Sequence, residues 1–187
     1  MKLGKMLFLS TIFFLVACGE KIDTNMSEPM TEFEFTTQNE EKLNLDDLKG
    51  EWWIANFMYT NCRTVCPRTT ANLVDVQQKL KKDGLTPQIV SFSVDPSYDT
   101  PEILKEYANE YDADLETWNF LTGYDFETIQ EISEDTFKAV LQEGAAGQRS
   151  HGFSFYLINP DGNIIKKYDD MSSDELDILV DDLKIVL

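Results

Sequence analysis

The sequence predicts an α/β domain built on a central mixed sheet with helices on both faces, and three observations lead there. A nearly continuous apolar run, residues 52–59, is of the kind buried on both faces of a sheet, and residues 88–94 read as a further strand. Each is followed by a segment with apolar residues at helical spacing, so strand and helix alternate along the chain. The chain then closes with a hairpin signal, Asn159-Pro160-Asp161-Gly162, and an amphipathic segment carrying Leu176, Leu179, Val180, Leu183 and Val186 on one stripe.

Taken in order, Phe33 and Phe35 alternate with polar residues, as do Leu43 and Leu45, giving two short strands before a turn at residues 46–50. The strand at 52–59 runs into Thr60-Asn61-Cys62, and a helix follows over 68–82 with Leu73, Val76 and Leu80 on its face. Gly84 stops that helix, the strand at 88–94 ends at Asp95-Pro96, and Asp99 or Thr100 caps a second helix with Pro101 in its first turn. A short strand at 118–121 and a helix at 124–132 come next. Residues 136–142 read equally as strand or helix, and 143–150, rich in small residues, read as a mobile loop leading into His151. Strands at 153–158 and 164–168 form the hairpin, and Ser172 or Ser173 caps the terminal helix. This order is the thioredoxin-like plan.

The first segment speaks to compartment. Lys2 and Lys5 precede an apolar run, residues 7–16, which is shorter than the about 20 residues of a bilayer-spanning helix and reads as a secretory signal. Leu15-Val16-Ala17-Cys18 has the form of a lipobox, so residues 1–17 are expected to be removed and Cys18 acylated. The protein would then be lipid-anchored at the cell membrane on the extracytoplasmic side. Residues 18–31 lack periodicity and read as a linker, leaving 32–187 as one domain. The formal charge is −18, with 34 acidic against 16 basic residues, which disfavours nucleic acid as a partner because phosphate binding relies on Lys and Arg.

With Cys18 committed to lipid, Cys62 and Cys66 remain as a pair in an oxidising compartment. If both lay on a first helical turn, their Cβ atoms would stand about 5–6 Å apart on one face. The helix N-terminus and Arg63 would favour thiolate. Spacing alone leaves a structural disulfide as open a reading as a reactive pair. Position favours reactivity, since so short a loop gains little entropic stabilisation from a cross-link. His151 is the only histidine. Its place before a strand expected beside the cysteine strand would bring it to the same end of the sheet, although a lone histidine is more often structural. Two thiolates and one imidazole suit copper or zinc. Ligand softness and the Irving–Williams order favour copper, as Cu(I) or Cu(II), and a closed zinc site would want a fourth protein ligand.

Three segments together resemble the Sco/SenC family, copper-delivery factors of cytochrome c oxidase assembly. They are Phe57-Met58-Tyr59-Thr60-Asn61-Cys62-Arg63-Thr64-Val65-Cys66-Pro67, then Ser91-Phe92-Ser93-Val94-Asp95-Pro96 with Asp99-Thr100-Pro101-Glu102, then Ser150-His151 with Tyr156-Leu157-Ile158-Asn159-Pro160-Asp161-Gly162. The resemblance implies that Cys62, Cys66 and His151 are copper ligands and that the partner is the oxidase subunit carrying the binuclear copper centre. It also leaves room for a second role, a thiol-disulfide oxidoreductase that reduces the cysteines of that centre through a Cys62–Cys66 redox pair. Asp95 is expected as a turn residue before Pro96 that also lies beside the site. Two departures stand out: Asn159 replaces a frequent aspartate, and His151-Gly152-Phe153 lacks the proline that thioredoxin reductants carry before this strand, which weighs against general disulfide reduction.

Overall fold

The computed structural model describes residues 22–144 and 149–187; the expected signal at 1–17 and the lipidation site Cys18 lie outside the described residues. Fourteen elements carry the fold: β1 (Glu28–Pro29), β2 (Glu34–Thr37), β3 (Lys42–Asn44), β4 (Trp53–Met58), α1 (Cys66–Lys82), β5 (Gln88–Ser93), α2 (Pro101–Glu110), β6 (Trp118–Thr122), α3 (Phe126–Glu131), β7 (Leu141–Glu143), β8 (Arg149–His151), β9 (Ser154–Ile158), β10 (Asn163–Asp169) and α4 (Ser173–Val186). Among them no helix is long and apolar enough to cross a membrane.

Eight strands form one mixed sheet in the order β1-β10-β9-β4-β5-β6-β2-β3, with β4, β5 and β6 parallel and the flanking pairs antiparallel. The strands read at 52–59 and 88–94 are its centre: β4 is buried along its whole length, and β5 along all but its first residue. Alternation then sorts side chains onto two cores. Trp53, Ala55, Phe57, Val90, Phe92, Tyr156 and Ile158 face the layer that holds α3 and the Phe33/Phe35 segment. Ile54, Met58, Ile89, Phe155 and Leu157 face α1, α2 and α4 through Leu73, Leu80, Leu104, Tyr107, Leu179 and Leu183. Helices therefore cover both faces, as predicted.

Polar groups on the central strands are paired with one another. Trp118 Nε1–H donates to Ser91 Oγ at 2.8 Å, and Ser91 donates in turn to Asn56 Oδ1 at 2.6 Å, a chain running across β6, β5 and β4. The helix starts follow their caps. Thr100 Oγ1 accepts from Ile103 N, Asp125 from Thr128 N and Ser172 from Glu175 N.

Four details depart from the sequence reading. Residues 25–30, expected in the linker, run along the sheet edge: Asn25 brackets Lys167 with two side-chain bonds of 2.9 and 2.8 Å, and Glu28 and Pro29 pair with Ile164 and Asn163. Backbone pairing of a polar segment leaves no periodic trace. In β10 a register shift between Ile164 and Lys166 turns the strand over, so Ile164 enters one core and Tyr168 the other. Beyond α3 the chain widens into a π-type turn at Ile132–Thr136. Finally, the expected loop at 143–150 has paired ends: β7 and β8 form a separate antiparallel ribbon with Leu141 opposite His151 and Glu143 opposite Arg149. Residues 145–148 lie outside the described residues.

Candidate functional site

The cysteine turn leaves β4 and is tied down at once. Thr60 N–H donates to both Asp99 carboxylate oxygens at 3.3 Å, and its hydroxyl donates to Oδ1 at 2.5 Å. Asp99 also accepts from Ser93 Oγ at 2.5 Å, so this fully buried carboxylate joins the cysteine turn to the end of β5. Burial pushes the Asp99 carboxyl up, and the three hydrogen bonds pull against that rise. Thr100, the next residue, is the one that caps α2, which leaves Asp99 free for this inward role.

Cys62 lies in the turn and Cys66 is the first residue of α1, so the two do not share a helical turn as the spacing argument supposed. The result is chemically tighter. Cys62 Sγ accepts the Cys66 N–H at 3.4 Å, a helix N-terminal donor without an intrahelical partner. The Cys66 carbonyl accepts from Thr69 Oγ1 at 3.2 Å and from the Tyr107 hydroxyl at 3.4 Å, anchoring the start of the helix to α2.

Neither cysteine is in a disulfide, and Cys62 is 8 % exposed and Cys66 1 %. Their protons are unequally held. A hydrogen bond from Cys66 lowers the Cys62 thiol far below its ordinary range, and backbone N–H groups of Cys66, Thr64 and Val65 assist against the opposing effect of burial. Cys66 is raised, first by that same bond to Cys62 and then by burial, with the negative charge of Asp170 adding to it. The surroundings thus favour the charged form at Cys62 and the protonated form at Cys66. Arg63 is exposed in the turn.

His151, 8 % exposed, ends β8 with its ring edge-on to Tyr59 and Phe153 at 5.9 and 5.3 Å between centroids. Its Nδ1 lies 3.0 Å from the Gly152 carbonyl oxygen. A carbonyl only accepts, so Nδ1 carries the proton and Nε2 presents a lone pair. That Nε2 is 3.9 Å from Cys66 Sγ. Burial lowers the imidazole, which keeps it neutral. The predicted trio therefore gathers in one place, from a turn, a helix start and a ribbon.

Bonds of about 2.0–2.3 Å from nitrogen and sulfur to one metal ion at trigonal or tetrahedral angles put the two donors about 3.6–3.8 Å apart. The Cys66–His151 pair sits just outside that separation. Among the described residues no group of three His, Cys, Asp or Glu side chains is placed to hold a metal ion, so the trio is neighbouring but not preformed. Closing on an ion requires deprotonation of Cys66 and a small inward movement. An open groove lined by Phe153, Lys167 and Met171 begins one residue past His151, but none of the three candidate ligands lines it. All three candidate ligands are buried, Cys62 and His151 less completely than Cys66.

Asp95 is near the site by a route the sequence did not disclose. Its carboxylate accepts from Ser97 Oγ at 3.2 Å, as suits a turn residue, and from Arg149 Nη2 at 3.3 Å. Asp95 thus holds the strand that carries His151 and does not bond to the ring itself. Arg149 had no sequence signal beyond standing two residues before the histidine. Asp170 was also missed: it is a buried carboxylate whose Oδ1 has no hydrogen-bond partner among the described residues.

Comparison with known proteins agrees with this construction. The model of the SCO1/SenC family matches residues 22–186. The SCO1 protein homolog of Bacillus subtilis (strain 168) is 40 % identical over 187 residues, covering 98 % of this chain and 97 % of its own. The structure of BsSco, described as a member of the Sco family of cytochrome c oxidase assembly proteins with a disulfide switch, superposes with a TM-score of 0.82. It is 37 % identical and covers 89 % of this chain and 97 % of that one. Arabidopsis thaliana ScoI, solved with copper bound, shares the fold at a TM-score of 0.72 and 24 % identity, covering 83 % of this chain and 98 % of that one. These Sco structures have the thioredoxin-like fold, and this chain has it too. With the match running through both cysteines and the histidine, the chain belongs to the SCO1/SenC family.

Proposed function

We propose that this protein is a copper-delivery protein that binds the ion through Cys62, Cys66 and His151 and passes it to the cytochrome c oxidase subunit carrying the binuclear copper centre. One observation carries the reading: the deprotonated Nε2 of a buried, neutral imidazole faces Cys66 Sγ at 3.9 Å, and Cys62, whose surroundings favour the thiolate, lies beside it. Copper is the cargo. Soft thiolates with one imidazole suit it, and a set of only three donors leaves a position open for an incoming ligand of the acceptor. Transfer then proceeds by exchange of one donor at a time, without free ion. Relatives point the same way: BsSco belongs to a family of cytochrome c oxidase assembly proteins, and the Arabidopsis protein was solved with copper bound. Cys18, as a lipid-bearing N-terminus, would hold the domain at the extracytoplasmic face of the membrane, where such an acceptor is reached.

A second reading has its own observation. Cys62 is the more exposed sulfur and the one whose surroundings favour the thiolate, while those of Cys66 favour the thiol, which is the asymmetry of an attacking and a resolving cysteine. In that role Cys62 attacks a partner disulfide and forms a mixed disulfide. Cys66 then gives up its proton and displaces the partner, which leaves with both its thiols reduced while Cys62 and Cys66 are oxidised to a disulfide. His151→Ala separates the readings. It should abolish tight copper binding and leave thiol-disulfide exchange intact, and oxidase assembly in cells carrying it should fail if copper delivery is the role. Normal assembly with that variant would leave the exchange reading standing alone.

A further inference from the structure

His151 is carried by a two-stranded ribbon, β7 and β8, that is not part of the main sheet. Such a ribbon is marginal by itself and takes its position from whatever pins it. Leu141, opposite His151, is fully buried and supplies one apolar anchor. On β7 the Leu141 carbonyl also accepts from Gln130 Nε2–H at 2.8 Å, and on β8 the polar anchor is Arg149. Its side chain is 8 % exposed, pairs with Asp95 in the turn after β5 at 3.3 Å, pairs with Glu143 on β7, and lies over the Phe126 ring of α3 with 4.6 Å from Cζ to the centroid. Three separate parts of the fold therefore converge on one guanidinium two residues before the histidine. A planar fork is the side chain that can grip two carboxylates while stacking on a ring.

We propose that Arg149 is a positioning residue for metal capture, clamping β8 so that His151 Nε2 is held toward Cys66. The proposal rests on His151 being a ligand. Nothing else in the described contacts ties β8 to the β5–α2 turn by a side-chain bond. Breaking the clamp leaves β7 held by Leu141 and by Gln130 Nε2–H donating to the Leu141 carbonyl at 2.8 Å, while β8 loses its own anchor and can turn the ring away from both Cys66 Sγ and the Gly152 carbonyl that fixes its tautomer. A partner that orients a metal-binding histidine is worth about tenfold to a hundredfold in affinity.

Because the chain has a single histidine, ¹⁵N labelling of histidine gives a spectrum of His151 alone. In the copper-free, reduced protein the ring should report one state with the proton on Nδ1. Arg149→Met, of similar length and without charge, should shift the ring toward a mixture of tautomers and weaken Cu(I) binding by about tenfold to a hundredfold. Asp95→Asn should move both readouts the same way, and the double variant should be no worse than Arg149→Met, since both break one contact. An Arg149→Met protein with the wild-type ring spectrum overturns the proposal, whatever its affinity, as does a double variant in which the two losses simply add. If Arg149→Met does not fold, Asp95→Asn carries the same ring readout. Should the wild type itself fail to bind copper, the delivery reading falls, while the metal-free spectrum still reports whether the clamp sets the ring.

Discussion

Replacing Asp170 with asparagine should stabilise the protein at neutral pH and do nothing for it in acid. Asp170 follows β10, is almost wholly buried, and has an oxygen without a hydrogen-bond partner among the described residues. Burial, aided by the neighbouring charge of Asp169, pushes its carboxyl up to about 7 from an ordinary 3.8. The folded protein therefore keeps a proton up to near pH 7 that the unfolded chain releases near pH 4. Between those values the folded state binds more protons, so stability falls as pH rises through the window, and the penalty is complete above pH 7. At about 1.4 kcal/mol per tenfold change in proton affinity, that interval corresponds to about 4 kcal/mol. An amide cannot ionise and escapes this penalty. Urea unfolding followed by tryptophan fluorescence at pH 4, 6 and 8 should show wild type and Asp170→Asn diverging with pH, the variant gaining up to about 4 kcal/mol between the first and last. Any fixed cost of burying the amide cancels in that difference. Two curves that stay parallel would mean that Asp170 ionises normally and that water reaches it. Since the Asp170 charge is one cause of the raised Cys66 thiol, the variant should also titrate Cys66 lower.

Alkylation of the reduced protein at pH 6 should label Cys62 rapidly and Cys66 hardly at all, as mass spectrometry of the peptides would read; equal labelling would contradict the thiolate assignment. Ser91→Ala should cost about 1–3 kcal/mol in chemical unfolding, because it strands the Trp118 N–H and the Asn56 oxygen in the core; a loss below that range would mean the chain across the central strands is replaceable. Copper affinity should fall as pH drops, since protons compete for the donors. Titrations at pH 8 and pH 5.5 that agree would point to other ligands.

The fold's centre was legible because burial on both faces leaves a mostly apolar segment bounded by turn residues: β4 and β5 lie within one residue of where Trp52 to Tyr59 and Gln88 to Val94 placed them. Helix starts with a side-chain acceptor, such as Thr100 and Ser172, were legible for the same local reason. The trio of Cys62, Cys66 and His151 was found by residue type and order. Its geometry was not, since whether α1 begins at Cys66 or earlier depends on Asp99, 39 residues from Thr60 along the chain. Arg149 and Asp95 are 54 residues apart, and the β1 edge pairs through backbone and Asn25. Contacts of that kind have no period and no motif, so only the folded arrangement reveals them. The ribbon of β7 and β8 was hidden likewise, because three-residue strands beside a run of small residues fall below the length at which alternation can be read.

The most direct measurement is a Cu(I) and Cu(II) titration of the reduced soluble domain, read by visible absorption and, for Cu(II), electron paramagnetic resonance, beside His151→Ala and Cys66→Ser. The wild type should bind one ion with sulfur-to-metal charge-transfer bands and a nitrogen donor. His151→Ala should lose the nitrogen signature and the tight affinity, and the oxidised protein should bind nothing. A His151→Ala protein with the wild-type spectrum and affinity would contradict the assignment of the imidazole as a ligand.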